Sequence, residues 1–362
     1  MTGGSGKHIA FYAPMKSPRS PVPSGDREVA RNLMDVIAAG GADVDLVSEL
    51  RIYDKTGDAQ RQNDLQEAAR QEVRRLLNEM PPVDLWVTYH NYYKAPDLIG
   101  PAVARARSIP YVQIESTRAT SRLTGPWAGF AKAAHDAADA ADTIFYFTAN
   151  DLITLERERY GSQALVHLPP FLPQSALPER SALDGPMLSV GMMRAGDKLS
   201  SYRIIAETLS HLEGDWQLEI AGDGPARPEV EAMMAPFGDR VQFLGQLDRD
   251  GLTAAYGRAS LFFWPGVNEA FGMAYLEAQA HGLPVVAQDR PGMRDVLTPA
   301  AYPAPEEGSK ALAEQINALL TDSDLRTRRS AEARQMVATT HLAPAASARF
   351  WAAVAPLIEA HP

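Results

Sequence analysis

The sequence has 362 residues, of which 45% are hydrophobic, so it is long and apolar enough for two domains of about 150 to 200 residues each. It contains no cysteine, which excludes a disulfide, a zinc-thiolate site and a thiol nucleophile. The formal net charge of -10 argues against a nucleic-acid partner, because phosphates select a basic face.

Membrane insertion is not expected from the hydropathy of the chain. No apolar run reaches the length of about 18 residues that is typical of a membrane span, and residues 1–8 are polar rather than signal-like. We therefore expect a cytoplasmic protein with at most peripheral contact at the inner membrane face.

Strand and helix patterns alternate along the chain, which is typical of parallel α/β layers. Apolar runs predict N-terminal strands at 8–13, 44–47, 85–89, 111–114, 143–147 and 164–168, and helical periodicity separates them at 28–39, 64–78, 97–107 and 151–160. A proline-dense stretch then continues neither pattern. We expect an N-terminal domain at 1–172, a linker at 173–186, a C-terminal domain at 187–344 and a last helix at 345–362.

The most informative segment begins with an apolar, aromatic run at 259–264, which Pro265 and Gly266 stop. A helical pattern follows at once, so its first free N–H groups should lie at the carboxyl end of the sheet. Such a helix start favours an anion or a ring of hydroxyls. The sequence therefore predicts ligand contacts at Phe271, Gly272, Met273 and Ala274.

Two carboxylates flank this helix start. Glu269, still in the loop, is suited to accept hydrogen bonds from sugar hydroxyls, although an acidic residue there also complements a helix dipole. Glu277 lies within an apolar helical stretch, where an unpaired carboxylate costs several kcal/mol. We expect Glu277 to have a partner or a ligand such as a ribose.

The pattern Glu, seven residues, Glu at 269–277 resembles the hallmark of family 4 of the retaining glycosyltransferases, also described as glycosyl transferases group 1, in the GT-B superfamily. The resemblance covers roughly 188–297, through the segments 188–198, 218–225, 241–245 and 282–287. It implies the GT-B fold, in which two Rossmann-like, doubly wound α/β domains face a central cleft and the last helix packs back on the N-terminal domain.

The same resemblance implies a nucleotide-sugar donor bound by the C-terminal domain. The residues that match the family's donor-side strand ends and turns are Gly191, Gly222, Gly224, Leu244 and Gly245.

A pair of cations should face the diphosphate of that donor. The family places an Arg directly after the strand glycine and a Lys in the following loop, whereas here Met192 and Met193 come first. Arg194 and Lys198 are the best candidates, because two cations also stabilise charge on the leaving group. Two ordinary solvated side chains are the alternative.

On the acceptor side, a proline-rich loop ends at the start of the first long helix. In family 4 a glycine-rich loop at this point borders the reaction centre; Gly25 matches one of its two glycines and Asp26 replaces the other. A helix cap by Ser24 explains the same residues equally well.

The end of the strand at 85–89 supplies a second acceptor-side candidate. His90 is suited to position an acceptor hydroxyl or a donor-sugar oxygen, and Lys94 to meet a charged acceptor group. A hydrogen-bonded packing role is the alternative for His90. Glu115 ends a neighbouring strand where many relatives have a His, and we count it as an acceptor-side candidate.

These features predict transfer of a hexosyl group from a nucleoside diphosphate sugar to a hydroxyl of a glycan, lipid or small molecule, with the anomeric configuration retained. No Asp-x-Asp pair in metal-site context is evident, so no metal or other cofactor is expected. Two alternatives remain open, which are a non-hydrolytic sugar-nucleotide epimerase of the same layout and a non-catalytic sugar-nucleotide-binding subunit.

Overall fold

A computed structural model describes residues 3–22, 24–270 and 272–361. The chain divides into two compact units, Met1–Pro169 with Ala343–Pro362, and Pro170–Leu342. Each unit is an α/β domain with its own parallel sheet and core.

The first unit contains a six-stranded parallel sheet within the described residues, in the order β2-β1-β3-β4-β5-β6. Its strands are β1 (His8–Tyr12), β2 (Asp43–Ser48), β3 (Leu85–Asn91), β4 (Tyr111–Ser116), β5 (Thr143–Tyr146) and β6 (Ala164–His167). Helices connect them, namely α1 (Gly25–Ala38), α2 (Ala59–Glu79), α3 (Gly100–Arg107), α4 (Ala128–Ala140) and α5 (Ala149–Arg157). A short 3-10 helix lies at Thr120–Arg122. The predicted strands are thus confirmed to within two residues at each end.

The strand order of this sheet reverses between β1 and β3. In open α/β sheets, ligands bind at the carboxyl ends of the strands beside such a switch point. The loop before α1 and the end of β3 both lie at that position.

The second unit contains a five-stranded parallel sheet within the described residues, in the order β11-β10-β7-β8-β9. Its strands are β7 (Met187–Val190), β8 (Leu218–Ala221), β9 (Val241–Gly245), β10 (Phe262–Phe263) and β11 (Val285–Val286). Its helices are α6 (Asp197–Leu209), α7 (Arg227–Met234), α8 (Arg249–Arg258), α9 (Met273–Ala280), α10 (Gly308–Thr321) and α11 (Ser323–Thr340). Further 3-10 turns lie at Ala235–Arg240, Pro291–Met293 and Pro305–Glu307.

The strand predicted at 259–264 is shorter in the structure, where only β10 is regular. Backbone pairing continues on both sides of it, since Leu261 O accepts from Leu188 N at 3.0 Å and Trp264 N donates to Val286 O at 3.1 Å. The strand order reverses between β7 and β10, so the residues after these two strands flank the switch point of this sheet.

The last helix, α12 (Ala343–Glu359), belongs to the first unit. It buries Phe350, Trp351 and Val354, and Trp351 Nε1 donates to Ile37 O in α1 at 3.0 Å. A Cβ at Gly40 would lie 1.8 Å from Trp351 Nε1, so only glycine fits beside the indole. Among the described residues, no helix is both long and apolar enough to cross a bilayer.

Candidate functional site

A cavity of about 420 Å³ lies in the second unit, at the carboxyl end of its sheet. Its walls come from the loops after β7 and β10, which flank the switch point, from the loops after β8 and β9 at the same edge of the sheet, and from the start of α9. The lining residues outside the strands include Gly191, Met192, Lys198, Gly222, Asp223, Gln246, Leu247, Leu252, Trp264, Glu269, Gly272, Met273, Ala274 and Tyr275.

Glu269 is held by two donors inside this cavity. Its Oε1 atom accepts from Trp264 Nε1 at 2.8 Å and forms an ion pair with Lys198 Nζ. The Lys198 ammonium also lies 5.1 Å from the centroid of the Trp264 ring, within cation–π range. Only 18% of the Lys198 side chain and 15% of the Glu269 side chain are exposed. The carboxylate is therefore fixed in orientation before any ligand binds.

The loop that carries Glu269 is anchored on both sides. Asn268, with a left-handed φ of 49°, donates to Asp197 at 3.0 Å, and Val267 N donates to the hydroxyl of Ser201 at 3.2 Å, so α6 holds the loop. A Cβ on Gly292 would lie 2.1 Å from Glu269 O, which shows that the turn after β11 packs directly against the loop backbone.

The glycines predicted on the donor side have a packing reason as well. Gly222 and Gly224 have φ of 145° and 151°, and a Cβ on them would lie 1.9 Å from Gly191 O and 2.3 Å from Met193 O. The turns after β7 and β8 therefore need glycine to approach each other. Gly191 and Gly222 also border the cavity, whereas Gly224 is not among its lining residues.

The start of α9 faces the cavity, as its lining shows. Gly272, with φ 59°, occupies the N-cap, and a Cβ there would lie 2.4 Å from the ring of Tyr275. Met273 and Ala274 of the first turn line the cavity. Phe271, predicted to take part, lies outside the described residues.

Glu277 has a protein partner in the structure. Its Oε2 atom accepts from the hydroxyl of Tyr256 at 3.0 Å, and burial raises the pKa of its carboxyl above 4.5 despite that bond. It is not among the described residues that line the cavity. The expectation that this buried carboxylate needs a partner is confirmed.

Three other predicted donor-side residues are also not among the described lining residues. Arg194 is exposed on the loop before α6, whereas Lys198, on the first turn of that helix, reaches the cavity. Leu244 and Gly245 end β9, and the wall is formed instead by the next two residues, Gln246 and Leu247.

The first unit brings three predicted acceptor-side residues together at its switch point. His90 Nδ1 lies 3.1 Å from Asp26 Oδ1 and 3.8 Å from Glu115 Oε2. His90 and Glu115 both have left-handed φ, of 66° and 59°, which is unusual for residues with side chains. Such backbone strain is concentrated at functional sites in proteins.

The carboxylates of this cluster change the acid–base behaviour of the imidazole. Burial disfavours the charged ring, but Glu115 and Asp26 outweigh it and raise the pKa of His90 above 6.5. Burial raises the pKa of Glu115. Burial also acts to raise the pKa of Asp26, but the hydrogen bond and the charge of His90, with smaller contributions from the backbone and Lys16, together outweigh it and lower that pKa. The imidazolium and the Asp26 carboxylate thus stabilise each other.

The start of α1, beside this cluster, contains both the Ser24 cap and the open Gly25 position that the sequence offered as alternatives. Ser24 Oγ accepts from Arg27 N at 3.3 Å and caps α1, and a Cβ on Gly25 would meet no atom within 4 Å.

Lys94 Nζ, the remaining acceptor-side candidate, lies 5.5 Å from the ring centroid of Tyr93 and 5.6 Å from that of Trp127. Among the described residues, no group of three or more His, Asp or Glu side chains has an arrangement that could hold a metal ion.

Comparison with known proteins identifies the segment around the cavity. The family described as Glycosyl transferases group 1 matches residues 199–336. The chain is 26% identical over 264 residues to alpha-D-kanosaminyltransferase of Streptomyces kanamyceticus, which covers 68% of each chain. It is 32% identical over 175 residues to D-inositol 3-phosphate glycosyltransferase of Xylanimonas cellulosilytica, covering 44% of this chain and 40% of that one.

The fold as a whole matches solved structures at low sequence identity. Sucrose-phosphate synthase of Thermosynechococcus elongatus superposes with a TM-score of 0.66 at 17% identity, over 98% of this chain and 100% of that one. The comparison covers both units, so the likeness in fold extends beyond the segment that matches the family.

Proposed function

We propose that the chain is a glycosyltransferase that moves a hexosyl group from a nucleoside diphosphate sugar to a hydroxyl acceptor, with the anomeric configuration retained. The match of residues 199–336 to the glycosyl transferases group 1 family, the similarity to alpha-D-kanosaminyltransferase and the GT-B fold support this proposal. The proposed donor site is the cavity around Glu269. The proposed acceptor site includes the cluster of His90, Asp26 and Glu115.

One observation carries this proposal, which is the carboxylate of Glu269 fixed by Lys198 and Trp264 beside the start of α9. A carboxylate accepts hydrogen bonds from the hydroxyls of a hexose, and the helix start with Lys198 favours a diphosphate. The groups that suit the hexose and those that suit the diphosphate lie side by side in one cavity, as a sugar linked to a diphosphate requires.

The same groups account for departure of the leaving group. As the bond to the diphosphate breaks, negative charge grows on its oxygens, and Lys198 with the N–H groups of α9 stabilises that charge. Arg194 is exposed and close in sequence, and in this proposal it adds a second cation when the donor is bound. No described residue needs to act as nucleophile, because the acceptor attacks the oxocarbenium-like sugar from the face that the diphosphate leaves.

His90 is proposed to hold the acceptor hydroxyl or an oxygen of the donor sugar. The hydrogen bond with Asp26 fixes its ring, and the raised pKa favours the protonated form, in which both ring nitrogens donate hydrogen bonds. The proposal requires no metal, and we expect the rate to be unchanged by a chelator.

The test is product analysis with the purified chain, a panel of nucleoside diphosphate sugars and a panel of hydroxyl acceptors. The proposal predicts a glycoside whose anomeric proton signal in NMR has the configuration of the donor. A product of inverted configuration would contradict retention. Conversion of a donor into an isomeric sugar nucleotide without any acceptor would favour the epimerase alternative.

A further inference from the structure

We propose that Tyr93, Lys94, Arg122 and Trp127 of the first unit form a binding site for a phosphate group, and that the acceptor carries this group. The second clause rests on the proposed function. The first depends only on the geometry of the first unit.

Two cations share one pair of aromatic rings. Lys94 Nζ and Arg122 Cζ lie 5.5 and 5.2 Å from the ring centroid of Tyr93, and both lie 5.6 Å from that of Trp127. The two rings meet edge to face, with centroids 5.7 Å apart. Cation–π contacts hold each cation near the aromatic platform that the rings of Tyr93 and Trp127 form, but these contacts supply no anion to neutralise its charge.

No carboxylate neutralises these cations among the residues that the structure describes. The ion pairs of the first unit involve other arginines and lysines, such as Arg75 and Lys132, and neither Lys94 nor Arg122 lies within 4.0 Å of an acidic oxygen of a described residue. The indole N–H of Trp127 is buried and has no hydrogen-bond partner in the described part of the chain. An anion with several oxygens would supply both the missing charge and a missing acceptor.

The platform is built from inside the unit rather than assembled by chance on its surface. Asp54 is fully buried; its N–H donates to Lys94 O at 2.9 Å, and its Oδ2 accepts from Gln62 Nε2 at 2.8 Å. Gln62 Nε2 also donates to Pro126 O at 3.0 Å, next to Trp127. One buried pair therefore fixes the backbone on both sides of the platform.

A glycine completes this support. Gly57 has φ 78°, and a Cβ there would lie 2.4 Å from Pro126 Cβ, so the loop after Asp54 packs directly on the segment before Trp127. A preorganised pair of cations loses little conformational freedom on binding an anion.

The platform is continuous with the proposed acceptor site. The ring centroid of Tyr92 lies 4.8 Å from that of His90 and 5.6 Å from that of Tyr93. One row of aromatic rings therefore joins the imidazole to the two cations. A phosphate fits the cationic end of this row and is repelled by Asp26 and Glu115 at the other end, which leaves that end for the hydroxyl. Phosphate chemistry is shared by a soluble sugar phosphate and by a lipid head group.

The experiment compares the full-length wild type with Lys94→Gln/Arg122→Gln. The matched control is Arg105→Gln/Lys132→Gln, which removes two exposed cations of α3 and α4 and changes the net charge equally. In the first arm, calorimetry measures binding of glucose 6-phosphate, with glucose as the uncharged probe. In the second arm, flotation measures binding to vesicles of phosphatidylglycerol and phosphatidylcholine, with pure phosphatidylcholine as the reference.

We expect the wild type and the control to bind the phosphate probe in at least one arm, and the Lys94/Arg122 double variant to bind it at least about tenfold more weakly, since each charge-assisted contact contributes about that factor. Loss in the first arm assigns a soluble phosphate, and loss in the second alone assigns a lipid head group. Trp127→Phe, which keeps a ring and removes the N–H, should weaken binding less than the double variant.

Equal binding by wild type and the Lys94/Arg122 double variant in both arms, or no phosphate binding by the wild type, would overturn the proposal. Thermal unfolding of every variant is measured first, so that a folding defect is recognised. Nucleoside diphosphate sugar binding is measured on the same samples. A chain that binds no such donor but shows variant-dependent phosphate binding keeps this site and loses the proposed function.

Discussion

Replacing Glu269 is the perturbation that most directly probes the cavity. In Glu269→Ala, Lys198 loses its anionic partner and Trp264 Nε1 loses its acceptor, although both remain largely buried. Glu269→Gln removes the charge but keeps an oxygen that accepts from the indole. The two variants together separate the loss of charge from the loss of a hydrogen-bond acceptor.

The size of the effect follows from these contacts. A hydrogen bond to a charged group contributes about 1.5 to 3 kcal/mol, and the 15–18% exposure of the pair places its contribution at the lower end of that range. We expect Glu269→Ala to lower the free energy of unfolding by about 2 kcal/mol and Glu269→Gln by about 1 kcal/mol. Loss of two hydroxyl contacts to a carboxylate in the transition state costs about 3 kcal/mol, or about 100-fold in kcat/KM.

The assay combines urea unfolding with initial rates of sugar transfer, and the nucleoside diphosphate is titrated separately. Nucleotide affinity should change far less than the transfer rate, because Glu269 is assigned to the sugar. Glu231→Gln is the control, since it removes an exposed carboxylate of α7 that pairs with Arg227 at 2.7 Å. A transfer rate in Glu269→Ala equal to that of the control would refute the assignment.

Three further predictions concern the supporting contacts. Tyr256→Phe removes the donor to Glu277, so it should cost about 1 to 2 kcal/mol of stability at pH 7 and raise the pKa of Glu277 further. Since a raised carboxyl pKa destabilises the fold above that pKa, urea unfolding should show a smaller deficit at pH 5 than at pH 7. Asp26→Asn should lower the pKa of His90, which NMR titration measures. In the wild type, the stabilisation that comes from the raised pKa of His90 is fully present below pH 6.5 and is lost as the pH rises through the folded-state pKa. The variant should therefore lose stability mainly at low pH. Gly292→Ala forces a Cβ against the loop backbone of the cavity, 2.1 Å from a carbonyl oxygen, and should lower kcat/KM about tenfold or more in the transfer assay, because the loop must shift.

Each of these predictions has an opposite outcome that is easy to recognise. A stability deficit of Tyr256→Phe that is independent of pH would show that the hydroxyl does not act through the carboxyl. An unchanged pKa of His90 in Asp26→Asn would show that Asp26 does not stabilise the imidazolium. Full activity of Gly292→Ala would mean that the loop tolerates displacement.

The regular elements near the cavity were largely predictable from sequence. The apolar run before Pro265 and the helical spacing after it predicted β10 and α9, and the glycine at the N-cap lies where the first free N–H groups were expected. The need of Glu277 for a partner also followed from burial alone. Its partner, Tyr256, lies 21 residues earlier in the chain and had no local signal.

Contacts between distant segments were not predictable in this way. Trp264 was interpreted as the end of a buried strand, but its indole N–H holds Glu269 and its face meets Lys198. The pairing of Asp26 with His90 depends on a left-handed backbone at the end of β3, which the sequence does not reveal for a histidine. The contact of Trp127 with Lys94 was not predictable either, because α3, β4 and the 3-10 helix at Thr120–Arg122 separate the two residues in the chain.

A thermal-shift panel tests whether the cavity around Glu269 binds a nucleoside diphosphate sugar. The wild type is heated with UDP, GDP and ADP and with their sugars, alongside Glu269→Gln. We expect one nucleotide series to stabilise the wild type by about 2.7 kcal/mol at 100 times its dissociation constant. The sugar should add to this stabilisation in the wild type but not in Glu269→Gln. No shift with any donor, or an equal gain from the sugar in both proteins, would contradict the account.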